Sequence, residues 1–279
     1  MESLLDYFAH IPTAHRAALI GAGFFVVFAL ELGFGATSFA RARHARTNLA
    51  FWGSSLLVNA ALSGITLGAS FAVSGAGFGL LRVVALPVWL ELLLSIALLD
   101  LVAAYVHHRL SHRVPLLWKF HVVHHSDPHV DSTTALRHSP VEAVMRSAMT
   151  LFGVVILGVA PGPLVAYQTV ALLAAQWIHA DLRLPDWLDR ALGAVFVSPA
   201  MHRVHHHRSL PETDTNYSTI FSLWDRCFGT LAAAHGRDVQ FGVDVVPECA
   251  ERERSALRVM RLALFPTSEG YRPRAAAAR

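Results

Sequence analysis

A chain of 279 residues that is 54% hydrophobic and only 15% charged is not composed like an ordinary soluble domain. Its formal net charge of +3 would suit nucleic acid, but the basic residues sit in loops beside apolar runs and in the terminal tail. That placement argues against a nucleic-acid partner and reads as membrane topology and contact with anionic headgroups.

The N-terminal stretch MESLLDYFAHIPTAHR is acidic before it is basic, so it does not read as a cleavable signal peptide. The first apolar run, about Ala17–Ala36, is expected to be a retained span. Two more follow, about Ala50–Val73 and Leu86–Val106, each near the roughly 20 residues that cross a hydrocarbon core. Glu31, Glu91 and Asp100 interrupt these runs, and acids at such depth face the protein interior or an interface. Arg41, Arg43 and Arg46 fall in the first connection and only Arg82 in the second, which places the first connection in the cytoplasm. His44, in that arginine-rich connection, is expected to be solvated. Arg109, Arg113, Lys119 and Arg137 are read as marking the same side.

Where the third run ends, histidines begin. Of 17 in the chain, 13 lie between His107 and His207. Residues three or four apart share a helix face, which groups His108 with His112, and His121 with His124 and His125. MHRVHHH repeats the pattern with His202, His205 and His206. Between these boxes an apolar block, about 143–178, is split by Pro161-Gly162-Pro163 into a spanning or re-entrant hairpin, which returns the chain to the side it left. His179 follows directly. Imidazoles phased in this way supply neutral nitrogen donors to a metal. One metal takes four to six ligands, so nine candidates (His108, His112, His121, His124, His125, His179, His202, His205 and His206) suit two ions. Asp100, Glu142, Asp181, Asp214 and Asp225 are candidates to accept the remaining ring N–H groups.

Residues 181–231 are mixed and polar, and ERERSALRVMRLALF beyond them reads as a basic amphipathic helix on the headgroups. The final RPRAAAAR reads as disordered. Cys227 and Cys249 form no close-spaced motif and read as free thiols. The chain therefore divides into N-terminal spans (1–106), a histidine-rich region (107–240) and a basic tail (241–279). The fold expected is all-α: an integral membrane helical bundle of four to five apolar segments, with a histidine-rich helical cap on the cytoplasmic side holding a dinuclear metal site. No Gly-rich phosphate loop, nucleophile elbow or dinucleotide fingerprint is present, and no box contains HExxH.

YVHHRLSHRVPLLWKFHVVHHSDPHVDSTTALRHSPVE and SPAMHRVHHHRSLPETDTNYSTIFSLWDRCFGT together resemble the histidine-box core of the fatty acid hydroxylase/sterol desaturase superfamily, over roughly Leu86 to Thr230. The resemblance implies a non-haem di-iron membrane oxidoreductase. Such enzymes use O₂ and two electrons to hydroxylate or desaturate a lipid, whether fatty acyl, sterol-like or ether lipid. It implies two iron ions, with zinc able to replace them on isolation, and a separate electron donor such as a ferredoxin, cytochrome or flavoprotein reductase. It also maps the same nine histidines onto the ligand positions. Many members carry a histidine two residues after the arginine matched to Arg137, whereas here Ser139 stands there and His138 comes one residue early. One residue turns a helical side chain by about 100°, so His138 stays outside the ligand set. The other class of reading is a membrane metal-ion transporter or metal-binding protein, whose sites lie within the spans rather than at their ends.

Overall fold

The structure is a computed structural model and describes residues 1–35, 41–232 and 239–243. Among them every regular element is helical, and extended pairing is limited to two isolated bridges, Gly35 with Leu182 and Phe196 with Phe221. His235, Cys249 and the expected amphipathic helix at 251–265 lie outside the described residues.

A short helix, α1 (Glu2–Ala9), precedes α2 (Thr13–Phe34) and the long α3 (Arg41–Gly75). Next come α4 (Val88–Leu99), a wider-wound turn over Asp100–Val106 with i→i+5 bonding, and α5 (His107–Arg113), which together form one continuous rod. α6 (Pro115–His125) starts after a break at Val114, where Pro115 takes the first helical turn. α7 (Pro140–Leu157) and α8 (Pro161–His179) make the hairpin. The cap is completed by the short helices α9 (Asp186–Gly193), α10 (Pro199–His205) and α11 (Leu223–Cys227).

Among the described residues, four helices are long and apolar enough to cross a membrane: Thr13–Phe34, Arg41–Arg82, Val88–Arg113 and Pro140–Leu157. Their outward faces carry Phe25, Leu32, Leu57 and Phe152, all more than half exposed. Small polar residues turn inward instead: Ser55, Thr66, Ser70 and Ser95 are buried. Apolar outside and small polar inside is the pattern of helices that pack in lipid, where each buried hydroxyl must find an acceptor. Ser55, Thr66 and Ser70 do so on the His138, Leu62 and Val159 carbonyls, whereas the Ser95 hydroxyl has no partner among the described residues.

The fifth apolar segment, α8, is the most enclosed. It packs against α1, α2, α3 and α4, and most of its first two turns are buried. The hairpin turn falls three residues before the prolines expected to make it. Gly158 ends α7 in the left-handed conformation (φ 72°), and Pro161 opens α8 at its first helical position. A β-carbon on Gly158 would stand 2.2 Å from the Phe78 carbonyl oxygen, so the close approach of the 77–79 segment also requires glycine.

From Arg41 onward the arginine-rich connection is helical rather than a loop. α3 begins at Arg41 and runs 35 residues, about 52 Å at 1.5 Å per residue, well beyond a hydrocarbon core of about 30 Å. Its first turns stand among the cap residues. His44 is accordingly buried, not solvated: its two ring nitrogens face Asp127 (2.7 Å) and Asp131 (3.1 Å). Arg137, read above as a topological positive charge, is fully buried as well. It donates to the Val123 carbonyl, Asn48 and Ser126.

Candidate metal centre

Each box sits on a helix end that a specific local signal fixes. In α6, His121 and His125 are one turn apart, while His124 is rotated about 100° from His125. α10 places His202 and His206 together with His205 rotated away, after Ser198 caps it by accepting from the Met201 N–H. The rotation divides the second and third boxes, while the first stays whole. His108, His112, His121, His125 and His205 form one group, and His124, His179, His202 and His206 a second. Within each group one nitrogen per ring lies within 4.8 Å of all the others. The groups adjoin, with the His125 and His206 rings stacked at 4.6 Å. All nine candidates are therefore brought together, but shared faces do not correspond to shared groups: His124 and His125 part company.

Ring nitrogens in the second group approach far closer than unliganded imidazoles have reason to. His179 Nε2 is 3.1 Å from His124 Nε2, 3.1 Å from His206 Nε2 and 3.0 Å from His202 Nε2. His179 Nδ1 faces the Ala175 carbonyl at 2.6 Å, which keeps the ring's proton on Nδ1 and leaves Nε2 with only a lone pair. The same holds in the first group, where Nδ1 of His108 meets the Tyr217 carbonyl (2.8 Å) and Nδ1 of His205 the Thr215 carbonyl (2.7 Å). The Nε2 atoms of His108, His121 and His205 are buried with no hydrogen-bond partner among the described residues. Converging lone pairs repel one another unless a cation lies between them. Ligands about 2.1 Å from one ion at right angles stand about 3.0 Å apart, which is the spacing found. The residues thus fit a metal ion in each group.

Electrostatics act in the same direction. Burial first, and neighbouring imidazoles second, hold His124, His125, His202 and His206 well below the usual histidine range. Burial lowers His205 to about 3. These rings are neutral at pH 7 and available as donors.

The five acids have different fates. Glu142 accepts from His121 Nδ1 at 2.8 Å, and Asp214 faces His112 Nδ1 at 3.3 Å. Asp100 instead accepts from the backbone of Ile220 and Phe221 and from Trp224 Nε1. The wide i→i+5 turn rephases the rod between it and His108, so counting two ordinary turns does not place it at the site. Both oxygens of Asp181 are taken by guanidiniums, Arg41 at 2.7 Å and Arg203 at 2.8 Å. Asp225 binds the Tyr217 and Ser218 N–H groups and so holds the loop whose carbonyl orients His108. His138 lies outside both groups; its Nδ1 meets Glu142 at 2.9 Å and its ring stacks on His124 at 4.5 Å. His107 and His207 also stand outside the groups.

Sequence reasoning did not find the backbone acceptors at Ala175, Thr215 and Tyr217, because a carbonyl carries no residue-type signal. Nor did it find the pairing of His44 with Asp127 and Asp131. The acids of SDPHVD, just after the second box, were the available sign.

Residues 92–230 match the sequence profile described as fatty acid hydroxylase. The chain belongs to the fatty acid hydroxylase family. Among curated relatives, an alkylglycerol monooxygenase of Danio rerio is 35% identical over 128 residues, 46% of this chain and 28% of that protein. The Homo sapiens alkylglycerol monooxygenase is 29% identical over 137 residues, 48% of this chain and 29% of that protein. An ornithine lipid hydroxylase, OlsE, of Rhizobium tropici is 30% identical over 128 residues, 46% of this chain and 38% of that protein. The matched part of the chain thus spans between about a quarter and two fifths of these relatives' length. No solved structure matches. The family match contains every one of the nine histidines and all of α5 to α11.

Proposed function

We propose that this fatty acid hydroxylase family member is a membrane oxygenase that inserts one oxygen atom of O₂ into a lipid, with two iron ions held by the nine histidines. The observation that carries the reading is the convergence of two groups of buried lone pairs at the end of a bundle of apolar helices. Imidazole nitrogen suits iron as well as zinc, so zinc found after aerobic isolation agrees with it. The relatives are described as monooxygenases and hydroxylases, which favours hydroxylation over desaturation.

The iron ions would supply O₂ activation and attack on an unactivated C–H bond. The chain's own residues do the rest. Ala175, Thr215 and Tyr217 carbonyls, with Glu142 and Asp214, hold ring protons on Nδ1 and aim Nε2 inward. Burial of both groups excludes bulk water from a reactive centre. The cap stands where the spans end, so a lipid reaches it from the bilayer without crossing water. Arg41, Arg43 and Arg46 open α3 at this same end, and by the positive-inside rule they support a site on the cytoplasmic side. Electrons come from a separate donor protein: a ferredoxin, cytochrome or flavoprotein reductase.

The test compares lipids of membranes holding the wild-type protein with those holding His179→Ala. Lipids carrying one added oxygen are expected only with the wild type, and only in air. Identical lipid profiles from the two would overturn the proposal.

A further inference from the structure

The two histidine groups differ in more than count. In the five-histidine group, four rings have an acceptor on Nδ1: Tyr217 O for His108, Asp214 for His112, Glu142 for His121 and Thr215 O for His205. Two of these acceptors are carboxylates. In the four-histidine group only His179 has one, the Ala175 carbonyl. Nδ1 of His124, His202 and His206 is buried without a partner among the described residues.

An acceptor on Nδ1–H locks the tautomer and the ring plane, and it raises the basicity of the opposite nitrogen; losing one such partner typically costs about 10- to 100-fold in metal affinity. A carboxylate acts more strongly than a carbonyl, because it adds a negative charge within hydrogen-bond reach of the imidazole. Rings without an acceptor must be ordered by the ion itself. Resting on the two-ion reading, we infer that the sites are graded: the five-histidine site is the tight one, filled first and released last. The four-histidine site is the weak one, which depends on the first for its assembly. α6 and α10 each contribute to both groups, so an ion in the tight site fixes His121, His125 and His205, and with them the helices that carry His124, His202 and His206. Glu142 and Asp214 are then positioning residues for the tight site.

Titration of the metal-free protein in detergent with Zn²⁺ alone, read against a chromophoric chelator, tests this. Two ions per chain are expected, with dissociation constants at least about tenfold apart. Glu142→Gln keeps an oxygen acceptor but removes the charge, and is expected to weaken the tight step about tenfold, narrowing the gap to the weaker one. Asp214→Asn makes the same test at a separate ring and serves if Glu142→Gln fails to fold. His202→Ala is expected to remove the weak step and spare the tight one. Two ions binding with one common constant overturn the inference, as does an E142Q or D214N protein whose tight step is unmoved. Saturation at a single ion overturns the two-ion reading beneath it, and is distinguishable because the wild-type curve then has only one step at half the stoichiometry.

Discussion

At the scale of single residues, His44 shows how a buried network alters an expectation. Both of its ring nitrogens face carboxylates, and an imidazole donates from both only as the cation. Asp127 in turn is held well below the usual carboxylate range: burial alone would raise it, but Arg137 and His44 prevail. The folded-state value is depressed, so the stability this pair contributes is present above the unfolded carboxylate range and lost as pH falls through the folded value. His44→Ala would leave Asp127 and Asp131 buried and one cation short. Thermal unfolding in detergent at neutral pH is expected to show a loss of about 3–5 kcal/mol, as for other broken buried pairs. A surface-like change under about 0.5 kcal/mol would show that the network is not what anchors this segment. The nine clustered histidines were legible because imidazole at helical spacing is itself a signal. His44 was not, since its partners lie more than 80 residues away.

At the scale of elements, apolar length foretold α2, α3, the α4–α5 rod and the hairpin, each within a few residues except at the start of α3 and at the end of the rod, which continues past Val106 to Arg113. Hydropathy missed that start because Arg41 and His44 are satisfied inside the cap rather than in water, Arg41 reaching Asp181 and His44 reaching Asp127, while Arg43 and Arg46 on the same turns stay exposed. It also missed the wide turn at Asp100–Val106, which has no compositional mark and decides where Asp100 points. The hairpin turn depends on Gly158 more than on the two prolines after it. Gly158→Val combines an unfavourable positive φ, about 1–3 kcal/mol, with a contact of 2.2 Å to the Phe78 carbonyl. Reduced thermal stability is therefore expected, whereas Gly64→Val, whose site is open, should be tolerated far better. Equal stability of the two variants would contradict the packing described for the α7–α8 turn.

Over the whole molecule, the connections agree on one end of the bundle. Glu31, at the end of α2, accepts from the Ser132 and Asp181 N–H groups at 2.7 Å each, and Arg41 reaches Asp181. The end of α2, the start of α3, the segment after the second box and the residues just after α8 therefore meet on the side of the histidines. α1 lies at the far end of α8, where Gly162 closely approaches the Leu5 carbonyl. Single cysteines at positions 43 and 207, introduced in a Cys227→Ser, Cys249→Ser background, should react with an impermeant thiol reagent only after the cytoplasmic side is opened. One at position 2 should react from outside. Opposite sidedness of 43 and 207 would break the shared end. Whether the two histidine groups each hold one ion is measured directly by iron analysis of protein purified anaerobically. Two irons per chain are predicted for the wild type, falling to one or none in His179→Ala; a reproducible single iron in the wild type, or an unchanged count in the variant, would contradict one ion in each group.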